Sequence, residues 1–167
     1  MKLELRNIKH SALASQETHC YRATLYVNGN AVADVGNEGF GGCDYQHPAK
    51  GVHPLRFNEV MKEVADHFAL MPAEQYPWDK NGEYLMQPNL EGWCCDQVNL
   101  FLRQRDLKNK LKSSVLFARD GSIYRIPTRG KPAQWVQECI AHHQKKGLVV
   151  LNTLTFEEAL KIFSEAA

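Results

Sequence analysis

Residues 37–48 form a loop that holds the chain's densest set of potentially reactive side chains. Glycine backbones permit positive φ angles and close approach by a partner, and sites are often built on loops of this kind. Cys43 and His47 are four residues apart and could act as nucleophile and base, or as two metal ligands. The candidate ligand-binding residues are Gly39, Gly41, Gly42, Cys43, Asp44 and His47.

Three interpretations of this loop stay open: a tight structural turn, a ligand-binding site, and a catalytic site. The loop lacks the G-x-x-x-x-G-K-[ST] phosphate-loop pattern and the G-x-G-x-x-G dinucleotide pattern, although its glycine amides could form an anion-binding nest. No Ser/Cys–His signature of a known enzyme class is present. The sequence therefore assigns no catalytic residue.

A metal site has a weaker basis. Cys139, His142 and His143 fall at i, i+3 and i+4 of an expected helix, which places them on nearby rows. The chain has no C-x-x-C pair and no H-E-x-x-H motif, and Cys139 continues an apolar stripe. We therefore predict neither a metal nor a cofactor.

Residues 103–131 form a basic block with nine Lys and Arg against two acids, or +7. Residues 41–102 carry −5, so the net charge of +1 hides a strong segregation. Such a block favours binding of nucleic acid or of an acidic protein, or it is a solvated helix face with hairpin edges. No helix-turn-helix, zinc-finger or RNP pattern accompanies it. The candidate partner-binding residues are Arg103, Arg105, Lys108, Lys110, Lys112, Arg119 and Arg125.

The elements that position these residues predict an α+β fold. Residues 18–27 alternate apolar and polar side chains, and an Asn-Gly-Asn turn at 28–30 returns the chain as a hairpin. A second hairpin is indicated around Asp120 and Gly121. The expected sheet is mainly antiparallel and built from these two hairpins, with about four helices packed on it. We predict a single domain over residues 1–167.

Four helices are predicted from their start signals and apolar spacing. Pro54 and Pro132 can each occupy a first turn, and a second helix is expected over about 91–112. Thr155 and Glu158 form a capping box that opens the last helix. An aromatic-rich loop over 76–93 is interpreted as a cover for the core rather than as an interface.

The bulk composition indicates a soluble globular protein, with 44% hydrophobic and 23% charged residues. No apolar run approaches the roughly 20 residues of a membrane span, and the first residues lack the apolar core of a secretory signal. Five cysteines are an odd number, and Cys94 and Cys95 are adjacent, which argues against a disulfide framework. We therefore expect a cytoplasmic protein that does not contact a membrane.

Three segments carry a resemblance to a family of small, uncharacterised proteins encoded by phages, plasmids and integrated elements. These are residues 15–29, with Glu-Thr-His-Cys-Tyr on a strand; residues 35–43 with His47, including a Gly-Phe-Gly-Gly turn; and the hairpin 116–125. The chain departs from the family at Phe40, where a charged residue or His is common. The resemblance implies an accessory role on a mobile element, such as inhibition of a host defence. It brings no catalytic residues.

The sequence leads to one main prediction and two alternatives for function. The main prediction is a non-enzymatic binding protein of a phage or mobile element that acts by contact with a host protein or nucleoprotein. The first alternative is a nucleotide- or phosphate-binding protein, or a hydrolase, that uses the 39–47 loop. The second is direct nucleic-acid binding through the 103–131 block.

Overall fold

A computed structural model describes residues 1–75, 79 and 81–166. The predicted α+β class with antiparallel sheets is confirmed. Tyr76 and Trp78 of the aromatic-rich loop lie outside the described residues. Contacts divide the chain into two compact units, Met1–Asn99 and Leu100–Ala167. The prediction of a single domain stays a prediction.

The first unit contains a four-stranded antiparallel sheet in the order β1-β2-β3-β4. Alternation places Tyr21, Ala23, Leu25 and Val27 on the buried face of β2, as its sequence predicts. The strands are β1 (Leu3–Ser11), β2 (Cys20–Val27), β3 (Asn30–Asn37) and β4 (Tyr45–Pro48). The short strand β4 was not predicted, and it pairs with β3 directly after the glycine loop.

Helical segments and a small ribbon complete the first unit. Helix α1 (Pro54–Ala69) begins at the predicted proline, and its buried face contains Val60, Val64 and Phe68. Strands β5 (Glu74–Gln75) and β6 (Leu85–Met86) form a two-stranded ribbon. Helix α2 (Leu90–Ser113) contributes the buried Cys94 and Val98 to this unit and continues into the second.

The second unit is built on a three-stranded antiparallel sheet in the order β8-β7-β9. The predicted Asp120–Gly121 turn joins β7 (Ser114–Arg119) to β8 (Ser122–Pro127), and both turn residues have positive φ. Helix α3 (Ala133–Lys145) is followed by β9 (Val149–Val150), one 3-10 turn (Leu151–Thr153) and α4 (Phe156–Glu165). The predicted capping box at the start of α4 is confirmed. The core of this unit contains Leu107, Leu116, Leu151, Ala159 and Phe163.

Among the described residues, no helix combines the length and the apolar character that crossing a membrane requires.

Candidate functional site

The glycine loop is organised by one buried side chain, Asn37, which is only 5% exposed. Its Nδ2 donates hydrogen bonds to the carbonyl oxygen of Gly42 at 2.7 Å and to Asp44 Oδ1 at 2.9 Å. Its Oδ1 accepts hydrogen bonds from Thr18 Oγ1 at 2.6 Å and from the backbone N–H of Gly39 at 2.8 Å. The amide's two donors and its oxygen's two lone pairs are therefore all used within the protein.

Two of the loop's glycines are required by the backbone. Gly39 and Gly41 have φ angles of 92° and 87°, a region that residues with a Cβ rarely occupy. A Cβ on Gly39 would overlap the carbonyl oxygen of Ala14, and a Cβ on Gly41 would overlap the carboxylate of Glu17. Gly42 has open space beside it and no positive φ.

Two of the three glycine amides that could form an anion nest are already engaged. The N–H of Gly39 donates to Asn37, and the N–H of Gly41 donates to Thr18 Oγ1 at 3.3 Å. The Glu17 carboxylate also lies close to Gly41, where its negative charge opposes the approach of an anion. The backbone conformation is therefore sufficient to explain why glycine occupies positions 39 and 41. Ligand binding by this loop stays a prediction.

Asp44 lies at the end of this network and faces two cysteines of α2. Tyr21 Oη donates a hydrogen bond to Asp44 Oδ2, and the backbone N–H of Asp44 donates to Glu91 Oε1 at 3.3 Å. Burial, and then the hydrogen bond to Asp44, raises the pKa of Tyr21 far above its ordinary range. Burial raises the pKa of Cys94 to about 12, and a side-chain hydrogen bond with Tyr21 opposes this shift. Burial also raises the pKa of Cys95, so both thiols are protonated near neutral pH.

The structure does not bring Cys43 and His47 together as nucleophile and base. Cys43 is exposed in the loop, and its sulfur makes no hydrogen bond to a described residue. His47 lies on β4 opposite Asp34, and its ring stacks on Tyr45 with centroids 5.4 Å apart.

Metal-binding geometry is missing from the described part of the chain, where no three His, Cys, Asp or Glu side chains group closely enough to hold an ion. His143 Nδ1 is 2.8 Å from the carbonyl oxygen of Cys139, and the His143 ring packs against the Phe117 ring with centroids 4.5 Å apart. Packing and a backbone hydrogen bond therefore account for this His.

The basic block separates into two kinds of cation. Arg105, Lys108 and Lys112 are exposed on one face of α2, at i, i+3 and i+7, and line a shallow groove with Phe101 and Asn109. We call these three cations the basic face. The Arg105 guanidinium lies 5.6 Å from the ring centroid of Phe101. No member of the basic face forms an ion pair with a described carboxylate.

The other cations of the block are partly neutralised or dispersed. Lys110 Nζ lies 2.8 Å from Asp106 Oδ2, and Arg119 Nε lies 3.1 Å from Asp120 Oδ2. Arg103 and Arg125 are exposed at other positions. The predicted seven-residue set thus contains one coherent surface of three side chains that form no ion pair with a described carboxylate, although Lys108 Nζ lies 5.1 Å from the ring centroid of Phe156.

Sequence reasoning missed Lys9, Arg22 and Tyr45, which line a cleft of about 740 Å³ on the sheet of the first unit. Arg22 could have been placed on the polar side of β2 from its alternation. Lys9 could not, because its face depends on a bulge in β1.

Comparisons with protein-family models, with curated proteins and with solved structures found no match. The function is therefore inferred from the geometry of the chain.

Proposed function

We propose that this chain is a non-enzymatic binding protein that contacts nucleic acid through the basic face of α2. The observation that carries this proposal is the row of three exposed cations, Arg105, Lys108 and Lys112, without ion-pair partners among the described residues. Cations already neutralised by carboxylates contribute less to phosphate binding than cations that are free to replace counterions.

The spacing of the basic face suits a phosphate backbone. Lys112 lies seven positions after Arg105 on the helix, a rise of about 10.5 Å. Phosphates of one strand rise by about 3.4 Å per step along the axis of a duplex, so a row of cations parallel to that axis spans about three steps. The aromatic ring of Phe101 lies in the same groove, as in surfaces that track a strand while a ring contacts a base.

The net charge of the second unit supports the same partner. Leu100–Ala167 contains twelve Lys and Arg against six Asp and Glu, a formal charge of +6. Met1–Asn99 contains eight against thirteen, a formal charge of −5. The positive unit attracts polyanions at a distance, and the attraction falls as salt screens it.

Non-enzymatic action is favoured over hydrolysis by the state of the 37–48 loop. The amides of Gly39 and Gly41 already donate to side-chain oxygens, and the buried Cys94 thiol is held in its protonated form. The exposed Cys43 has no base within hydrogen-bonding distance among the described residues. Taken with the resemblance to mobile-element proteins, these features support an accessory role in which the target is a host nucleoprotein.

Salt-dependent binding tests this function in the full chain. Fluorescence anisotropy with labelled single-stranded RNA, single-stranded DNA and duplex DNA would be measured between about 50 and 200 mM salt. With three phosphate contacts, we expect log K to fall with log salt with a slope of about −2 to −3. Absence of binding at low salt, or a slope near zero, overturns the proposal. Equal affinity for poly-glutamate would assign the basic face to acidic proteins instead.

A further inference from the structure

The sheet of the first unit presents an exposed pair of like charges. Lys9 on β1 and Arg22 on β2 are direct partners in the antiparallel register, so their side chains project from the same face. Both side chains are exposed, and neither forms an ion pair with a described carboxylate. Like charges directly opposite each other destabilise a sheet, and an anion bound between them would reverse that repulsion.

A bulge in β1 creates this pair. Arg6 pairs with Thr24, but the next pair is Lys9 with Arg22, so two residues of β1 stand against one of β2. Asn7 in the bulge has a φ angle of 57°, a left-handed conformation that costs free energy for a residue with a Cβ. In regular alternation Lys9 would lie on the face opposite Arg6. The bulge instead turns Lys9 onto the face that carries Arg6 and Arg22.

Aromatic rings lie beside this cation pair on the same face of the sheet. Gly36 pairs with Arg22 on one side and with Tyr45 on the other. A Cβ on Gly36 would overlap the Tyr45 hydroxyl, so the Tyr45 ring lies across Gly36 toward Arg22. His47 stacks on Tyr45, and Phe40 lines the same cleft with 60% of its surface exposed.

The cation pair and the aromatic rings line the same cleft. Its volume of about 740 Å³ lies within the range of small-molecule sites, and its lining includes Lys9, Arg22, Glu38, Phe40, Tyr45 and His47. We propose that this cleft binds a nucleotide, with the phosphate between Lys9 and Arg22 and the base against the rings of Tyr45 and Phe40. The carboxylate of Glu38 supplies an acceptor for an exocyclic amino group on the base.

This site differs from the 39–47 glycine nest predicted from the sequence in its anion ligands, although the cleft shares His47 with the predicted residues. Its anion ligands are two side chains of the sheet rather than the amides of Gly39 and Gly41, which are engaged. It also shares no residue with the basic face of α2, so either site can fail experimentally without the other.

The nucleotide could be free or could be one unit of a single strand, and two arms of one experiment distinguish these sources. Isothermal titration of the full chain with the four ribonucleoside monophosphates and triphosphates tests the free form. Titration with single-stranded oligonucleotides tests the strand, in a background carrying Arg105→Gln, Lys108→Gln and Lys112→Gln so that the basic face does not contribute.

A matched control lies on the same face of the sheet. Lys2 and Arg6 project from it, but both already pair with Glu4, at 2.6 and 2.5 Å. The test variant is Lys9→Gln with Arg22→Gln, and the control is Lys2→Gln with Arg6→Gln, which removes the same charge. We expect the test variant to lose at least about ten-fold in affinity and the control to change by less than about two-fold.

A further variant tests the aromatic part without removing a cation. Phe40→Ala removes an exposed ring, and we expect a loss of about ten-fold in affinity with an unchanged melting temperature. Binding of neither free nucleotide nor oligonucleotide at about 1 mM overturns the proposal. Equal affinities of the test and control variants also overturn it, because nucleotide binding would then not depend on Lys9 and Arg22.

Discussion

The side-chain amide of Asn37 donates a hydrogen bond to Asp44 Oδ1 across the glycine turn, with a nitrogen–oxygen distance of 2.9 Å. Because Asn37 ends β3 and Asp44 immediately precedes β4, this bond closes the connection between two paired strands. Tyr21 on the neighbouring strand donates to the other oxygen of the same carboxylate. The loop that concentrates reactive residue types is thus fixed by a buried polar network.

Removal of the Asn37 side chain is expected to destabilise the first unit. Asn37→Ala would leave the Gly39 N–H without its acceptor and Asp44 Oδ1 without its donor, although Tyr21 would still donate to Asp44 Oδ2, and each unsatisfied group costs about 1–3 kcal/mol. We expect the free energy of unfolding, measured by urea denaturation, to fall by at least about 2 kcal/mol. Asn30→Ala is the control, since Asn30 is exposed and makes only a 3.4 Å bond to the Asn28 carbonyl. A change for Asn37→Ala as small as that of the control would contradict the network.

The glycines of the loop are expected to respond unequally to the same substitution. Gly39→Ala would place a Cβ at positive φ and against the Ala14 carbonyl, which we expect to cost about 2 kcal/mol or more. Gly42→Ala meets open space without positive φ, and we expect a change within about 0.5 kcal/mol. Thermal unfolding of the two variants compares them directly. Equal losses would show that the backbone does not distinguish the two positions.

Local patterns predicted much of the fold. Alternation identified β2, the Asp120–Gly121 turn placed the β7–β8 hairpin, and the Thr155 capping box marked the start of α4. Each of these signals depends on residues close in sequence, so one sequence is enough to find it. The strand β4 escaped prediction because Tyr45–Pro48 has four residues, ends in proline and follows a glycine turn.

The candidate sites were harder to predict from the sequence than the fold, because they depend on contacts between residues that the sequence pattern does not reveal. The helical spacing of Arg105, Lys108 and Lys112 was available in the sequence, but the pairing of Lys110 with Asp106 separates the basic face from its neighbours. Lys9 and Arg22 are paired across the strands because of the bulge at Asn7, and no turn motif in the sequence predicts that bulge. Similarly, the role of Asn37 depends on Thr18, which is 19 residues away in the sequence.

Alkaline pH is expected to weaken the fold through Cys94. The unfolded chain releases this proton near the ordinary thiol pKa of 9.0, whereas the folded chain holds it up to a pKa of about 12. The stabilisation is complete below pH 9.0 and is lost as pH rises toward 12, because the unfolded state then binds fewer protons. The expected loss is about 1.4 kcal/mol per pH unit within that window.

Urea unfolding at about pH 8 and about pH 10.5 measures this loss. Cys94→Ala should reduce the alkaline loss by about 2 kcal/mol, even though the variant is less stable at both pH values. Cys43→Ala serves as the control, since it removes a thiol that is exposed rather than buried. Identical pH dependence for the wild type and Cys94→Ala would argue against a buried, protonated thiol.

The most direct test of nucleic-acid binding compares two double variants with the same change in charge. Lys108→Gln with Lys112→Gln removes two cations of the basic face that form no ion pair with a described carboxylate, whereas Lys110→Gln with Arg119→Gln removes two cations already paired with Asp106 and Asp120. Anisotropy titrations with labelled single-stranded RNA and DNA, repeated across the salt series, give both affinity and salt slope. We expect the first variant to bind at least about ten-fold more weakly with a slope reduced by about 1.4, and the second to stay within about three-fold of the wild type. Equal weakening of the two variants, or no weakening of the first, would contradict binding through the basic face.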